Sequence, residues 1–385
     1  MKIPSHPHPS PRIFSCVNVH AIRKKRIFAE ENQLREKMEK KVSIKEIAER
    51  AGVSIGTVDR VIHNRGRVSE KTKEKVLKIC RELNYEPNLL AQRLASDKTF
   101  ILATFIPRPR RDNAYWSLPL EGIRKAAEEL AGYRITVKEH FFDIFDEESF
   151  RQNSLNMLVE QPDGVVLAPV FHREAEDLVR KLDMKGIPYV FIDSILEGTN
   201  YLSFFAQDPF RSGYLAGRLI WFHLKKHSEV LIVNFTSDLE NHLHLKKREE
   251  GLRAFLNDHH FKGKVESLHI APREELLLSH TLYEHLHHKT RGLFVTSSAH
   301  KVARSIRKIR REKLMFVGYD LTPDNVQYLN QGVIDVLLCQ KPVAQGYGAM
   351  RTLFDHLVRK KEVKREHPMP IEIVVKENYT DYSDL

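Results

Sequence analysis

Two hydrophobic periods divide this chain. Between residues 41 and 98, apolar positions recur at helical spacing. Ile44, Ile47, Ala48 and Ala51 share one face of a first helix, Val58 and Val61 one face of a second, and Val76, Ile79, Cys80 and Leu83 the inner face of a third. Ser43 stands as N-cap three residues before Glu46, a capping box in which the hydroxyl takes a free N–H and the carboxylate reaches back. Gly52 ends that helix, because glycine enters the left-handed region at little cost. Ser54 and Ser69 cap the second and third helices. Ile55, Gly56, Asp59 and Arg60 are left on the outer side of the second. Two short helices joined by residues 51–54 predict a helix-turn-helix, whose second helix fits the major groove. The spacing alone suits any three-helix bundle equally.

From residue 99 the period changes. Strand candidates fall at 101–106, 135–142, 164–170, 189–193, 202–206, 230–235, 265–270, 293–296, 315–319, 333–339 and 371–376. Many are continuously apolar, as parallel strands covered on both faces must be. Amphipathic stretches such as 118–130, 211–224, 248–257 and 344–359 separate them. This alternation predicts an α/β domain of doubly wound parallel sheets, long enough for two lobes.

Residues 1–40 follow neither pattern. Pro4, Pro7, Pro9 and Pro11 stand among Ser and His, and a charged polar stretch follows. The expectation is disorder, or one frayed helix near 29–40; Met38 is a candidate translation start, with the upstream segment an artefact. The expected layout is an extension (1–40), an all-α headpiece (41–86), a hinge helix and linker (87–98), a two-lobed domain (99–378) and a tail (379–385) without heptads.

Charge sharpens this layout. The net charge is +11. Residues 1–40 and 41–98 each contribute +5, and 99–385 only +1. A basic module on a near-neutral domain fits a polyanion partner, or a merely solvated basic surface. Cys16, Cys80 and Cys339 are odd in number and far apart, which argues against a disulfide framework and for a reducing, cytoplasmic setting. No apolar run approaches the roughly 18 residues of a membrane helix, and the first residues lack the order of a secretory signal. There is no Gly-rich phosphate loop and no Gly-x-Ser-x-Gly elbow, so neither an enzyme nor a cofactor is expected. The pairs His242/His244 and His259/His260 and the cluster His285/His287/His288 lack metal-ligand spacing and read as solvated helix faces.

The run 42–54, VSIKEIAERAGVS, continues as TVDRV at 57–61, VSEKTKEKV at 68–76 and LNYEPN at 83–88. It closely resembles the headpiece of the lactose/galactose repressor family, without a gap through Leu94 and Ala95. The resemblance implies that Ile55, Gly56 and Arg60 face base edges. Arg60 would donate two hydrogen bonds to guanine, worth about 1–3 kcal/mol of discrimination. Ser54, Thr57, Lys71, Thr72 and Lys75 would meet phosphates, which position without specifying. Asp59 stands where the family usually has Ser; it can pair with Arg60, accept from cytosine N4, or face solvent. Residues 88–95, NLLAQRLA, match the family's hinge helix, which implies DNA contacts for Asn88, Ala91 and Leu94. Eight residues are too few for a stable helix alone. In the family two copies meet over the minor groove, where the leucine wedges between base pairs; ordinary linker packing is the other role open to Leu94. A homodimer on near-palindromic double-stranded operator DNA is implied.

The larger domain is similar to the sugar-binding proteins of periplasmic transport, in their ribose-type branch. FVGYDLTPD at 316–324, GVI at 332–334 and QKPVAQG at 340–346 carry this likeness. It implies that Asp320 and Gln340 line a sugar pocket, with Arg248 of REEG (248–251), Asp193 ending VFID (190–193), and Tyr115 and Trp116 as stacking surfaces. Trp116 can instead be core, and Arg248 a surface ion-pair partner. Ser194, Ser297 and Ser298 depart from the family's usual Arg, Asn or Asp. The expected function is a transcription regulator, foremost a repressor, tuned by a saccharide-like effector. The alternative is a transport-type sugar-binding protein without a DNA role.

Overall fold

The computed structural model describes residues 42–62, 66–83, 85, 98–110, 114–271, 276–307 and 314–382. The chain forms two compact units, Met1–Leu89 and Leu90–Leu385. The expected 1–40 extension and the hinge residues Asn88, Ala91 and Leu94 lie outside the described residues.

In the first unit, α1 (Ile44–Ala51), α2 (Ile55–Ile62) and α3 (Glu70–Glu82) pack around Ile47, Ala48, Ala51, Val58, Val61 and Val76, all buried. Ile44, Ile79, Cys80 and Leu83 close the edge of this core half-buried. The Ser43 hydroxyl accepts from Glu46 N at 3.2 Å. The Glu46 carboxylate differs from the capping-box expectation: it meets Arg50, one turn on, at 3.3 Å. Gly52 takes φ 64° and gives its N–H to Ala48 O and Glu49 O, which ends α1 and turns the chain into α2.

The second unit holds two six-stranded sheets. Its strands are β1 (Phe100–Pro107), β2 (Ile135–Phe142), β3 (Gly164–Leu167), β4 (Tyr189–Ile192), β5 (Ser203–Ala206), β6 (Glu229–Asn234), β7 (Val265–His269), β8 (Thr290–Val295), β9 (Met315–Tyr319), β10 (Val336–Cys339), β11 (Glu366–Pro368) and β12 (Glu372–Val374). Lobe 1 is ordered β11-β5-β4-β3-β1-β2 and is parallel throughout. Lobe 2 is ordered β12-β10-β9-β8-β6-β7 and is parallel except for β12. The helices are α4 (Ser117–Leu130), α5 (Glu147–Val159), α6 (His172–Met184), α7 (Pro209–Trp221), α8 (Leu243–Asp258), α9 (Leu278–His285), α10 (Ala299–Ile306), α11 (Pro323–Asn330) and α12 (Pro342–Leu357).

The chain crosses between lobes three times: from β5 into α7, from β10 into α12, and from β11 to β12. Helix α12 follows a lobe 2 strand but returns to lobe 1, where Met350, Leu353 and Phe354 join Leu102 and Val166 in one core. Glycines permit its close approach to α4. A Cβ on Gly122 would lie 1.9 Å from Val343 O, and one on Gly346 2.0 Å from Pro119 O.

All eleven expected strands are present, several of them shorter. Val333 and Ile334 are buried, but their N–H groups close a turn onto Tyr328 O after α11 instead of joining β10. Strand β11 was not expected: its three residues, Glu-His-Pro, carry no apolar run and pair along one edge of β5. The tail is corrected too. Tyr379 and Tyr382 pack against the lobe 2 core, so that segment belongs to the lobe.

Candidate functional site

The outer side of α2 presents Ile55, 52% exposed, beside exposed Gly56 and Arg60. At its start the Ser54 hydroxyl accepts from Thr57 N at 3.2 Å and lies 2.9 Å from Thr57 Oγ1. Ser69 and Thr72 repeat this at the start of α3, with hydroxyls 2.7 Å apart. Lys71 and Lys75 are exposed, Thr72 half-buried, and Asp59 half-buried beside α2. The residues expected to face bases or phosphates therefore stand on the outer surface of the bundle, and its core uses Val58 and Val61 instead.

In the second unit, loops at the C-terminal ends of β1, β4, β8, β9 and β10 surround a cavity of about 80 Å³. Parallel sheets place ligands at this end of their strands. Asp193 follows β4 in lobe 1 and Asp320 follows β9 in lobe 2, and each has φ +70°. A non-glycine residue in that region is strained, though Asp tolerates it best. Two such carboxylates facing one cavity mark a built site. The Tyr115 hydroxyl donates to Asp193 Oδ1 at 2.7 Å. Gln340 Nε2 lies 3.1 Å from Asp320 Oδ1 and 3.5 Å from Asp193 Oδ1, so one amide links the carboxylates of both lobes. Gln345 orients this group: its Oε1 accepts from Asp193 N and its Nε2 donates to Gln340 O, each at 2.8 Å.

Arg248 is buried, donates from Nη1 to Thr296 O at 2.6 Å, and lays its guanidinium 3.7 Å over the Tyr319 ring. This places it in the pocket and removes the surface ion-pair role. Trp116 is 3% exposed; it lines the cavity, belongs to the lobe 1 core, and meets the Tyr115 ring edge-on at 5.1 Å. All six ligand residues expected from the sequence thus converge on one cavity. Four buried polar atoms there lack a hydrogen-bond partner: Arg248 Nε, Thr322 Oγ1, Asn325 Oδ1 and Gln340 Oε1.

Burial pushes the Asp320 carboxyl up to about 7, against the opposing pull of Arg248 and with Asp193 adding to the rise. Burial also raises Asp193, with Arg248 and the Tyr115 hydrogen bond holding it back. It drives Tyr115 well above the ordinary phenol range. His244 is driven well below the usual imidazole range by burial, then by Arg248 and His242. Burial therefore disfavours charge in this pocket, and a ligand that donates hydrogen bonds to its carboxylates would offset that cost.

Sequence reasoning missed part of this wall. His242 and His244 were expected on a solvated face; they line the cavity, as does His300. The available signal was spacing, since His244 lies one helical turn before Arg248 on α8. Ser297 and Ser298 also line the cavity, where the resembled family carries amides or acids. His259 stacks on Phe255 at 4.0 Å and His285 meets Glu266 at 2.9 Å, while His287 and His288 are exposed. A clasp also joins the lobes: Asn241 accepts from Arg173 N at 3.0 Å and donates to Glu174 at 3.0 Å, beside an Arg173–Asp238 ion pair at 3.0 Å.

Among the described residues no helix is long and apolar enough to cross a membrane. The model of the periplasmic binding protein domain matches residues 105–362, and that of bacterial regulatory proteins of the lacI family matches 43–88. The transcriptional regulator MalR of Streptococcus pneumoniae is 31% identical over 160 residues, 40% of this chain and 46% of that regulator. This chain thus spans about half the length of that relative. The sucrose operon repressor of Pediococcus pentosaceus is 26% identical over 291 residues, 73% of this chain and 83% of that repressor. A crystal structure of a LacI transcriptional regulator from Bacteroides fragilis superposes with TM-score 0.68 at 29% identity, covering 74% of this chain and 99% of that one. The chain belongs to the periplasmic binding protein domain family over residues 105–362 and carries in front of it, over residues 43–88, a helix-turn-helix domain of the lacI family of bacterial regulatory proteins.

Proposed function

We propose that this protein is a sequence-specific, dimeric DNA-binding transcription regulator, acting as a repressor in the cytoplasm, whose operator affinity is set by a saccharide-like effector held between its lobes. The single observation that carries the effector reading is the Asp193–Gln340–Asp320 arrangement, one carboxylate from each lobe joined by one amide. A ligand that hydrogen-bonds both carboxylates stabilises the closed cleft. Hydroxyl donors suit Asp193, Asp320 and the unpartnered oxygens of Gln340 and Asn325, Arg248 Nε suits a ligand oxygen, and Trp116 can cover a C–H face.

The DNA reading is supported by the exposed α2 face with Ile55, Gly56 and Arg60, flanked by Ser54, Thr57, Lys71, Thr72 and Lys75. Dimerisation supplies two half-sites and hence a near-palindromic operator. Closure of the lobes would change how the paired 87–98 segments meet DNA through Leu94. Selection from random double-stranded DNA tests the first half of this proposal. A thermal-shift screen of saccharides, sugar acids and sugar phosphates tests the second, with Asp320→Ala as control. Absence of any enriched motif would refute the regulator, and equal stabilisation of the variant would refute the pocket.

A further inference from the structure

The 80 Å³ cavity is not the whole cleft. A second cavity of about 860 Å³ lies against it, and His244 lines both. Around His244, consecutive residues line the two chambers in turn. Asp193 faces the inner chamber and Ser194 the outer; Arg248 faces the inner and Lys247 the outer; Leu243, just before His244, faces the outer alone. The two chambers differ in chemistry as well as size. At about 10–15 Å³ per water on this measure, the inner chamber holds roughly five to eight waters, the displacement of one sugar ring. The outer chamber has apolar walls in Phe204, Phe210, Ile195 and Leu243, and it opens to solvent, since Phe210 is 40% exposed.

The outer chamber is also built to hold something polar. Gln207 lines it and is 3% exposed. Its Nε2 is spent on Cys339 O and Pro370 O, each at 3.0 Å, while its Oε1 has no partner. The Ser194 hydroxyl, on the same wall, is likewise buried and unpartnered. Gln207 sits on the crossing from β5 to α7, so a group bound to it is tied to the joint between the lobes. The carboxylates of Glu176, Glu197, Asp208 and Glu250 outnumber the cations Arg211 and Lys247 around this chamber, which disfavours an anionic occupant. The Lys247–Glu197 ion pair, 2.8 Å, spans from lobe 2 to lobe 1 at its exposed rim, where such a pair opens at little cost.

We propose that the effector is a neutral disaccharide, with one ring in the inner chamber against Asp193, Asp320 and Arg248, and the other past His244 in the outer chamber against Ser194, Gln207 and Phe210. This rests on the reading of the inner pocket as an effector site. The second ring presents hydroxyls to Gln207 and Ser194 and a C–H face to Phe210. Isothermal titration of the full chain tests it, using a panel of neutral disaccharides and the methyl glycosides of their component sugars. The expected result is one disaccharide binding about tenfold or more tighter than either methyl glycoside of its parts. Phe210→Ala and Ser194→Ala should each erode that advantage and leave methyl-glycoside binding as in the wild type. A methyl glycoside that binds as tightly as any disaccharide would overturn the proposal and leave the effector site standing, as would variants that weaken both ligands equally. If no saccharide of either size binds, the effector reading falls and this proposal falls with it.

Discussion

Arg60 and Lys75 are both exposed cations of the headpiece, yet their loss should read out differently. Arg60→Ala should relax the selected motif at one base pair per half-site, at about 1–3 kcal/mol per contact. Lys75→Ala should weaken all DNA sequences about equally and flatten the salt dependence. Sequencing of the selected DNA, with affinities at several salt concentrations, separates the two. In the cleft, Asp320 gives a pH prediction. Its folded-state carboxyl is raised to about 7 from an ordinary 3.8. The stability it contributes is therefore complete below the ordinary value and is lost as pH rises through about 7. Asp320→Asn should stabilise the empty protein at pH 8 and not at pH 3. A hydroxyl donated by the effector favours the ionised carboxylate, so binding should release a proton. Affinity should rise between pH 6 and 8, by at most about tenfold per unit, and Asp320→Asn should flatten that profile in titrations at several pH values. Asp193, Asp320 and Gln340 were legible through the resemblance of VFID, FVGYDLTPD and QKPVAQG to the sugar-binding proteins, and each stands at the end of an apolar run that reads as a strand. His244 was not, because a histidine beside another at a helix start carries no burial signal until the lobe that covers it is known.

At the scale of elements, α7 and α8 determine where Arg248 lies. They cross so closely that a Cβ on Gly213 would fall 1.9 Å from Arg248 O and 2.7 Å from Arg248 C. Both groups are helix backbone, which cannot yield cheaply. Gly213→Ala should destabilise the second unit by about 1–3 kcal/mol. It should also weaken effector binding roughly tenfold, the worth of one lost hydrogen bond to a charged group. Leu256→Ala, at the far end of α8, should cost about 2–5 kcal/mol of stability and leave the affinity unchanged. Thermal unfolding and titration of the two variants side by side check this. The same close crossings explain what the hydrophobic pattern could and could not tell. Eleven strands were legible, the inner ones such as β3 and β4 because burial on both faces demands a continuous apolar run, and the edge strands β2 and β7 from mixed apolar and polar positions. Strand β11 has Glu366 and Pro368 at its ends and borrows its stability from β5, so nothing in its own three residues marks it. The return of α12 to lobe 1 was also illegible, because its apolar face suits either lobe, and the choice follows from Gly122 and Gly346 meeting at the crossing with α4.

For the whole molecule, the proposed function couples a DNA-reading headpiece to an effector cleft, and such a link must act in both directions. If the effector changes operator affinity, the operator must change effector affinity by the same factor. In the proposed function Leu94 carries the effect of the effector to DNA, so Leu94→Ala should reduce DNA bending in a circular-permutation assay while leaving saccharide binding intact. The most direct test is the affinity of the full chain for its selected DNA, measured with and without a saturating saccharide that stabilises the protein. The expected result is a change of roughly 5- to 150-fold, an equal change in saccharide affinity when DNA is bound, and loss of both in Asp320→Ala. Identical operator affinity with and without a bound saccharide would contradict it.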